Sequence, residues 1–369
     1  FCLECLEKSR LSCHDPNNFL NMSRINKVAI IIPTMNRVDF IIRTIQYYTS
    51  IESHHSIYIG DASDTSSKKR VMKVANGKLD IHYFHWKGLS DRKTCGSLAK
   101  HALKNHKFCA FQGDDDYLVP ESLSLCADFL KKHDDYATAQ GNAVVFSLDK
   151  SGPYGNISSF STYWNHKQLT EDTAQKRLTE ITNNYWVPIF SIHRTSEFIE
   201  DMLSGVDEIL DRNFGELNNS FSMAIRGKSK FIDCLYLVRN GHDRIDHPTH
   251  YGWISDTLWR PSLLNVIEQL TLTLGKVDGI SDKDSRMIVE SCIEGYINSG
   301  DSYCDYRALI KRYLTSLNLF VFLQKIRSVF FTFYSVFSPD SLRIESLKLK
   351  RSKYYKDFSP ILRSLKKPS

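Results

Sequence analysis

The run Val28-Ala-Ile-Ile-Ile32, closed by Pro33, limits the fold more than any other stretch of the chain. It is apolar and mostly β-branched with no polar alternation, the pattern of a strand covered on both faces. Such a strand belongs inside a parallel sheet, where neighbouring strands must be joined by long crossovers. The sequence supplies them. Val38 to Ser50 has helical spacing, with Phe40, Ile41, Ile45 and Tyr48 at core positions. Ser56-Ile-Tyr-Ile-Gly60 and Leu79 to Phe84 read as strands, Lys93 to Asn105 as a helix, and Phe108-Cys-Ala-Phe111 as a further strand. This alternation predicts an α/β fold with a mostly parallel sheet flanked by helices, and ligands at the carboxyl ends of its strands.

Acidic residues fall at that edge twice. Asp61 follows the second strand, and Asp114-Asp-Asp116 follows Gly113 after the fourth. Three adjacent carboxylates repel one another and are rarely buried unpaired, so at a strand end they suit a hard divalent cation with oxygen ligands. A solvated acidic turn is the plain alternative for a bare Asp-Asp-Asp, and the flanking pattern outweighs it.

Four segments in order carry a resemblance: Ile31-Ile-Pro-Thr-Met-Asn-Arg37, Gly60-Asp-Ala-Ser63, Arg92-Lys-Thr-Cys-Gly96 and Gln112-Gly-Asp-Asp-Asp116. Together they resemble the inverting family 2 glycosyltransferases of the GT-A (Rossmann-like) fold. The resemblance implies a nucleotide-sugar donor held by Pro33, Thr34, Asn36, Arg37, Asp61, Arg92, Lys93, Asp114 and Asp115. It also implies Mn2+ or Mg2+ on Asp116 and Asp114, with His242 closing over the diphosphate or metal. Lys93-Thr94 departs from the family's usual Arg-Asn.

Inversion requires a carboxylate that takes the proton of the attacking hydroxyl. The resemblance places it about 100 residues beyond the metal motif, at a helix start. Glu216 stands there, following Gly215, with Leu217 where the family has Asp. Asp211 and Asp207 compete for the role. A first-turn Glu that merely favours the helix dipole is the plain reading of the same residue.

The expected domains are an N-terminal extension (1–23), a GT-A domain (24–265; donor half 24–140, acceptor half 141–265) and a helical C-terminal region (266–369). Within the acceptor half, Gly141 to Tyr163 reads as loops, Trp186 to Ile192 as a strand and Phe231 to Val238 as a strand. Tyr163, Trp164, Tyr185, Trp186, Trp253 and Trp259 are candidates to stack on sugar rings. From Asp340 to Ser369 nine basic residues face three acidic ones, a balance of +6 that equals the net charge of the whole chain. Before it, Leu317 to Phe337 is apolar but broken by Gln324, Lys325, Arg327 and Ser328, too interrupted for a membrane span. The pair reads as a basic amphipathic tail for an anionic membrane surface, or as a helix packed on the domain. No motif accompanies this charge that would support nucleic-acid binding.

Nine scattered cysteines fit a reducing, cytoplasmic setting better than a disulfide framework. The expected function is a metal-dependent inverting glycosyltransferase acting on a glycan or lipid-linked acceptor in cell-surface polysaccharide or glycoconjugate synthesis. The alternatives are a nucleotidyltransferase making nucleotide sugars, which would need a Gly-rich phosphate loop after the first strand, or a non-catalytic carbohydrate- or membrane-binding relative.

Overall fold

The computed structural model describes residues 27–241, 250–298 and 340–367. The expected extension at 1–23, His242 and the apolar segment 317–337 lie outside the described residues. In chain order the elements are β1 (Ala29–Thr34), α1 (Val38–Ser50), β2 (Ser56–Asp61), α2 (Lys68–Ala75), β3 (Ile81–His85), α3 (Asp91–Ala102) and β4 (Phe108–Phe111). There follow β5 (Tyr117–Leu118), α4 (Pro120–Lys132), β6 (Tyr136–Leu148), β7 (Ile157–Trp164), α5 (Ala174–Asn183), β8 (Ile192–Arg194), α6 (Thr195–Leu203), α7 (Arg212–Arg226) and β9 (Lys228–Asn240). The chain continues through α8 (His250–Ile254), α9 (Trp259–Asp278), α10 over residues 282–298, α11 (Ile344–Leu347) and α12 (Tyr355–Ser364).

One nine-stranded sheet runs β3-β2-β1-β4-β8-β6-β9-β5, with β7 paired to β6. The first four strands of that order pair in parallel, as do β6 and β9. Strands β8, β5 and β7 run antiparallel to their neighbours, so six of the nine strands point the same way. The apolar run of β1 serves both faces of the sheet. Val28, Ile30 and Ile32 join the core under α1 and α4, while Ala29 and Ile31 join a second core under α3 and α6. A third cluster is helical, built from α5, α7, α9 and α10.

Two expectations fail within residues 141–265. The stretch from Gly141 to Tyr163 is no loop region: β6 is thirteen residues long and pairs with β7, with register shifts that absorb its Gly and Asn residues. Its Ser, Gly and Asn content masked a bulged strand pair. The Trp186 to Ile192 stretch contains a 3-10 turn at Pro188–Phe190, and the strand begins only at Ile192, because Pro188 has no N–H to give a ladder.

The C-terminal region differs most. Residues 340–367 are not a free tail. Leu347, Tyr354, Phe358, Ile361 and Leu365 are buried in the same core as β1 and α1. Tyr354 donates to Asp233 Oδ1 (2.9 Å), Lys353 pairs with Asp233 Oδ2 (2.6 Å), and the Ser364 hydroxyl donates to Tyr117 OH (2.9 Å). Phe358 meets Phe160 edge-on, with ring centroids 5.7 Å apart. The apolar side chains of this basic segment are therefore spent on the protein's own core, while the apolar face expected over 317–337 lies outside the described residues. Phe358→Ala should destabilise the fold by about 3–5 kcal/mol, read by urea unfolding.

A buried histidine ties the start of the sheet to α4. Val28 N donates to His55 Nδ1 (3.1 Å) and His55 Nε2 contacts Pro120 O (2.9 Å), a pattern only the neutral ring satisfies. Burial is the main cause that pulls its pKa down to about 4. The unfolded chain binds the proton near 6.5, so stability falls as pH drops from about 6.5 towards 4, by up to about 3 kcal/mol. His55→Gln should cost stability at pH 8 yet flatten the acid limb of a thermal-unfolding series. An unchanged limb would remove His55 as its source.

Candidate functional site

The site begins where β1, β2 and β4 end. Thr34 and Asp61 are partners in register, so the first two strand ends lie side by side. Beyond β1 the chain turns with Asn36 in the left-handed region (φ +57°), where Asn is tolerated better than most residues, and Asn36 N donates to Ser63 Oγ (2.7 Å). Asp61 is buried and accepts from Ser63 N (3.0 Å), Ser67 N (3.2 Å) and the Tyr83 hydroxyl. Burial alone would raise its pKa, but these hydrogen bonds prevail and hold it below the usual range. Thr34, Asp61, Ser63, Ser67 and Tyr83 line a narrow cleft beside α1 and α2.

The Asp triplet is a tight turn. Asp116 N donates to Gly113 O (3.1 Å), and a Cβ on Gly113 would sit 2.8 Å from Asp116 Oδ2, so a side chain there would displace the carboxylate. All three aspartates are buried. Asp114 accepts from the Thr34 hydroxyl (2.8 Å) and from Arg37 Nη1 (2.7 Å), while Arg37 Nη2 reaches Asp115 Oδ2 (2.6 Å). The turn's backbone is held from below: Arg43 Nη2 donates to Asp115 O, the Thr44 hydroxyl to Asp114 O (3.0 Å), and Gln112 Nε2 to Asp116 O (2.9 Å). Asp116 accepts from Asn240 N (2.9 Å) and lies 3.4 Å from Arg239 Nε. Burial, reinforced by Asp115, pushes Asp114 up to about 7. For Asp116 burial again dominates and the pKa rises to about 6 despite Arg239.

Arg239 and Asn240, at the end of β9, were not singled out by sequence. Arg239 lies between the Phe190 and Tyr163 rings (4.6 and 4.7 Å) and donates to Tyr163 OH (2.7 Å). Their signal was present only as the polar residues that end the run Leu235 to Val238, the same strand-end logic that singled out Asp61.

The other expected residues gather at α7. Glu216 is exposed on its first turns and accepts from the Tyr185 hydroxyl (3.0 Å). Asp211 is the N-cap of that helix: Oδ1 accepts from Phe214 N (2.8 Å), and both oxygens lie 3.1 Å from Trp253 Nε1. These contacts give Asp211 a structural task. Arg92 lies under Gly215, where a Cβ would meet its Cδ at 3.2 Å, and donates to Ser204 O (2.7 Å). Lys93 pairs with Asp207. Arg92 and Lys93 are thus engaged by the loop before α7. Trp253 and Trp259 pack on Phe214 in the helical core, away from any sugar-stacking role.

Among the described residues no three His, Cys, Asp or Glu side chains converge as a ready cation cage. The donor set still fits a hard cation that arrives with its own oxygen ligands, because buried carboxylates with raised pKa values gain from a neighbouring positive charge. Arg37 now supplies that charge. No family profile matches the chain, and no curated protein matches it. Solved structures do align. Residues 1–349 of S. aureus TarS give a TM-score of 0.49 at 14% identity over 74% of this chain and 72% of that one. The same fragment with UDP-GlcNAc gives 0.46 at 14% identity over 74% and 73%. The mannosyltransferase PcManGT from Pyrobaculum calidifontis with GDP-Man and Mn2+ gives 0.39 at 10% identity over 80% and 81%. At these scores the likeness carries no argument about this chain, and its reading rests on its own site.

Arg37→Ala removes the guanidinium shared by Asp114 and Asp115. Its side chain is 37% exposed, so screening lowers the cost below that of a buried pair, to about 2 kcal/mol in chelator. Millimolar Mn2+ should raise the thermal midpoint of this variant more than that of the parent. Equal rises would show that Arg37 and the cation do not share the carboxylates.

Proposed function

We propose that the chain is a glycosyltransferase that moves a sugar, with inversion, from a nucleotide-sugar donor to a hydroxyl of a glycan or lipid-linked acceptor, in cell-surface polysaccharide or glycoconjugate synthesis. The observation that carries this is the Gly113 to Asp116 turn: three buried carboxylates beside Thr34 and Asp61 at one sheet edge. A nucleoside diphosphate offers hydroxyls and ring nitrogens for Asp61 and Asn36, and an anionic diphosphate that a cation could join to the triplet. In this reading Asp61 accepts from the base or ribose, and Thr34, with the loop from Pro33 to Arg37, borders the nucleotide.

Asp116 and Asp114 would hold a divalent cation, Mn2+ or Mg2+, which when bound offsets negative charge on the leaving diphosphate. Arg37 and Arg239 flank the same carboxylates and offset part of their negative charge. Glu216 is the proposed base, and its exposure allows a hydroxyl to approach. Asp211 is the weaker candidate because its oxygens are already occupied. A nucleotidyltransferase would use a basic phosphate loop after β1, whereas Arg37 is turned onto Asp114 and Asp115.

We place the protein in the cytoplasm, touching an anionic membrane face through residues 340–367. Their buried apolar side leaves Lys348, Lys350, Arg351, Lys356, Lys366 and Lys367 exposed, so binding would be electrostatic and weakened by salt. No helix among the described residues is long and apolar enough to cross a membrane.

The test is turnover of a panel of nucleotide sugars with Mn2+. Asp116→Ala should abolish release of nucleoside diphosphate. Glu216→Gln should cut transfer by about 10²–10⁴-fold with donor binding kept. Full activity of both variants would end this reading, and full activity of Glu216→Gln alone would move the base elsewhere.

A further inference from the structure

Between the two groups of site residues lies a second cleft that the donor reading does not use. It has a volume of about 490 Å3, open to solvent at its mouth, and its walls include Tyr163, Trp164, Tyr185 and Trp186 with Asn165 and Lys167 at the rim. The two tryptophans are fixed in place: Trp164 Nε1 donates to Gly141 O (3.0 Å), and the Trp164 and Trp186 rings pack 5.8 Å apart. The two tyrosines connect the cleft to chemistry on either side. Tyr163 accepts from Arg239, which faces Asp116, and Tyr185 donates to Glu216. Burial raises the pKa of Tyr163; Arg239 opposes the rise, and Glu216 and Asp116 add to it. Tyr185 is raised well above its ordinary value, by burial first and then by Glu216, and so keeps the proton it donates.

We infer that this cleft is the acceptor saccharide site, with Tyr163 as a stacking wall and Tyr185 as a positioning residue for Glu216; the acceptor assignment rests on the glycosyltransferase reading. The wall chemistry selects the class of ligand. A pyranose has apolar C–H faces and hydroxyl edges, which match aromatic walls and an amide and ammonium rim. An acyl chain would leave Asn165 and Lys167 unserved. The step balances as follows. The acceptor hydroxyl oxygen bonds to the anomeric carbon, the bond from that carbon to phosphate oxygen breaks, and its electron pair leaves with the nucleoside diphosphate. The hydroxyl proton goes to Glu216, which Tyr185 holds toward the cleft.

Trp164 and Trp186 report on the site directly. The full chain is titrated with methyl α- and β-glycosides of glucose, galactose, mannose, N-acetylglucosamine and xylose while tryptophan emission is followed. At least one glycoside should give a saturable change. Tyr163→Ala should weaken it about tenfold, with Tyr163→Phe retaining it. Asn165→Trp, a change at an exposed rim position, should fill the cleft and abolish the response. No saturable response, or full response in both Tyr163→Ala and Asn165→Trp, overturns the site. With the bound glycoside as acceptor, Tyr185→Phe should lower kcat about tenfold at unchanged acceptor KM; a rise in KM alone overturns the positioning role. Nucleotide-sugar hydrolysis without acceptor reads the donor edge separately. Glycoside binding with no hydrolysis keeps the saccharide site and removes the transferase reading. Hydrolysis with no glycoside binding does the reverse.

Discussion

Three carboxylates confined to one buried turn form the interaction around which this protein is arranged. Left alone, Asp114, Asp115 and Asp116 would expel one another into water or take up protons. The fold instead brings compensation from four directions: Thr34 and Arg37 from the first strand end, Arg43 and Thr44 from the first helix, Gln112 from below, and Asn240 with Arg239 from a strand more than a hundred residues further on. Gly113 is the steric condition, because no larger residue leaves room for the Asp116 carboxylate. Much of the molecule's polar interior exists to hold this turn in a place where it is electrostatically unfavourable. Function at such a place is the ordinary reason for keeping it.

The first part of the sheet was legible because its signals are local. An unbroken β-branched run, a helical repeat and acids at two strand ends occupy short windows, and the parallel pairing of β1, β2, β3 and β4 follows from their order. Residues 141–265 were poorly legible because β6 is bulged and pairs in both senses, so Gly141 and Asn142 read as turn formers while they sit inside it. Arg239 and Asn240 escaped notice for another reason. They matter through partners far away in sequence, and nothing next to them announces Asp116.

Asp211 and Glu216 show the same limit at close range. Five residues apart, both acidic and both near a helix start, they compete for one role, with spacing favouring Glu216. The fold separates them through what fills their oxygens. Asp211 caps α7 and takes the Trp253 indole, while Glu216 faces outward with one tyrosine hydroxyl. A carboxylate spent on backbone N–H groups is poorly suited to take a proton, and that expenditure becomes visible only in three dimensions.

The clasp made by residues 340–367 has a consequence for how the protein comes into being. The Ser364 hydroxyl reaches Tyr117, the residue after the Asp triplet, across 247 positions of sequence, and Phe358 and Ile361 complete the core beneath the first helix. During vectorial synthesis the ribosome delivers the strands that carry the aspartates long before it delivers their cover. Until translation passes residue 365, the nascent domain must wait with an apolar face open, exposed to chaperones and to misassembly. The core beneath the first helix is therefore closed only once residues 340–367 have been made, long after the carboxylate turn beside it.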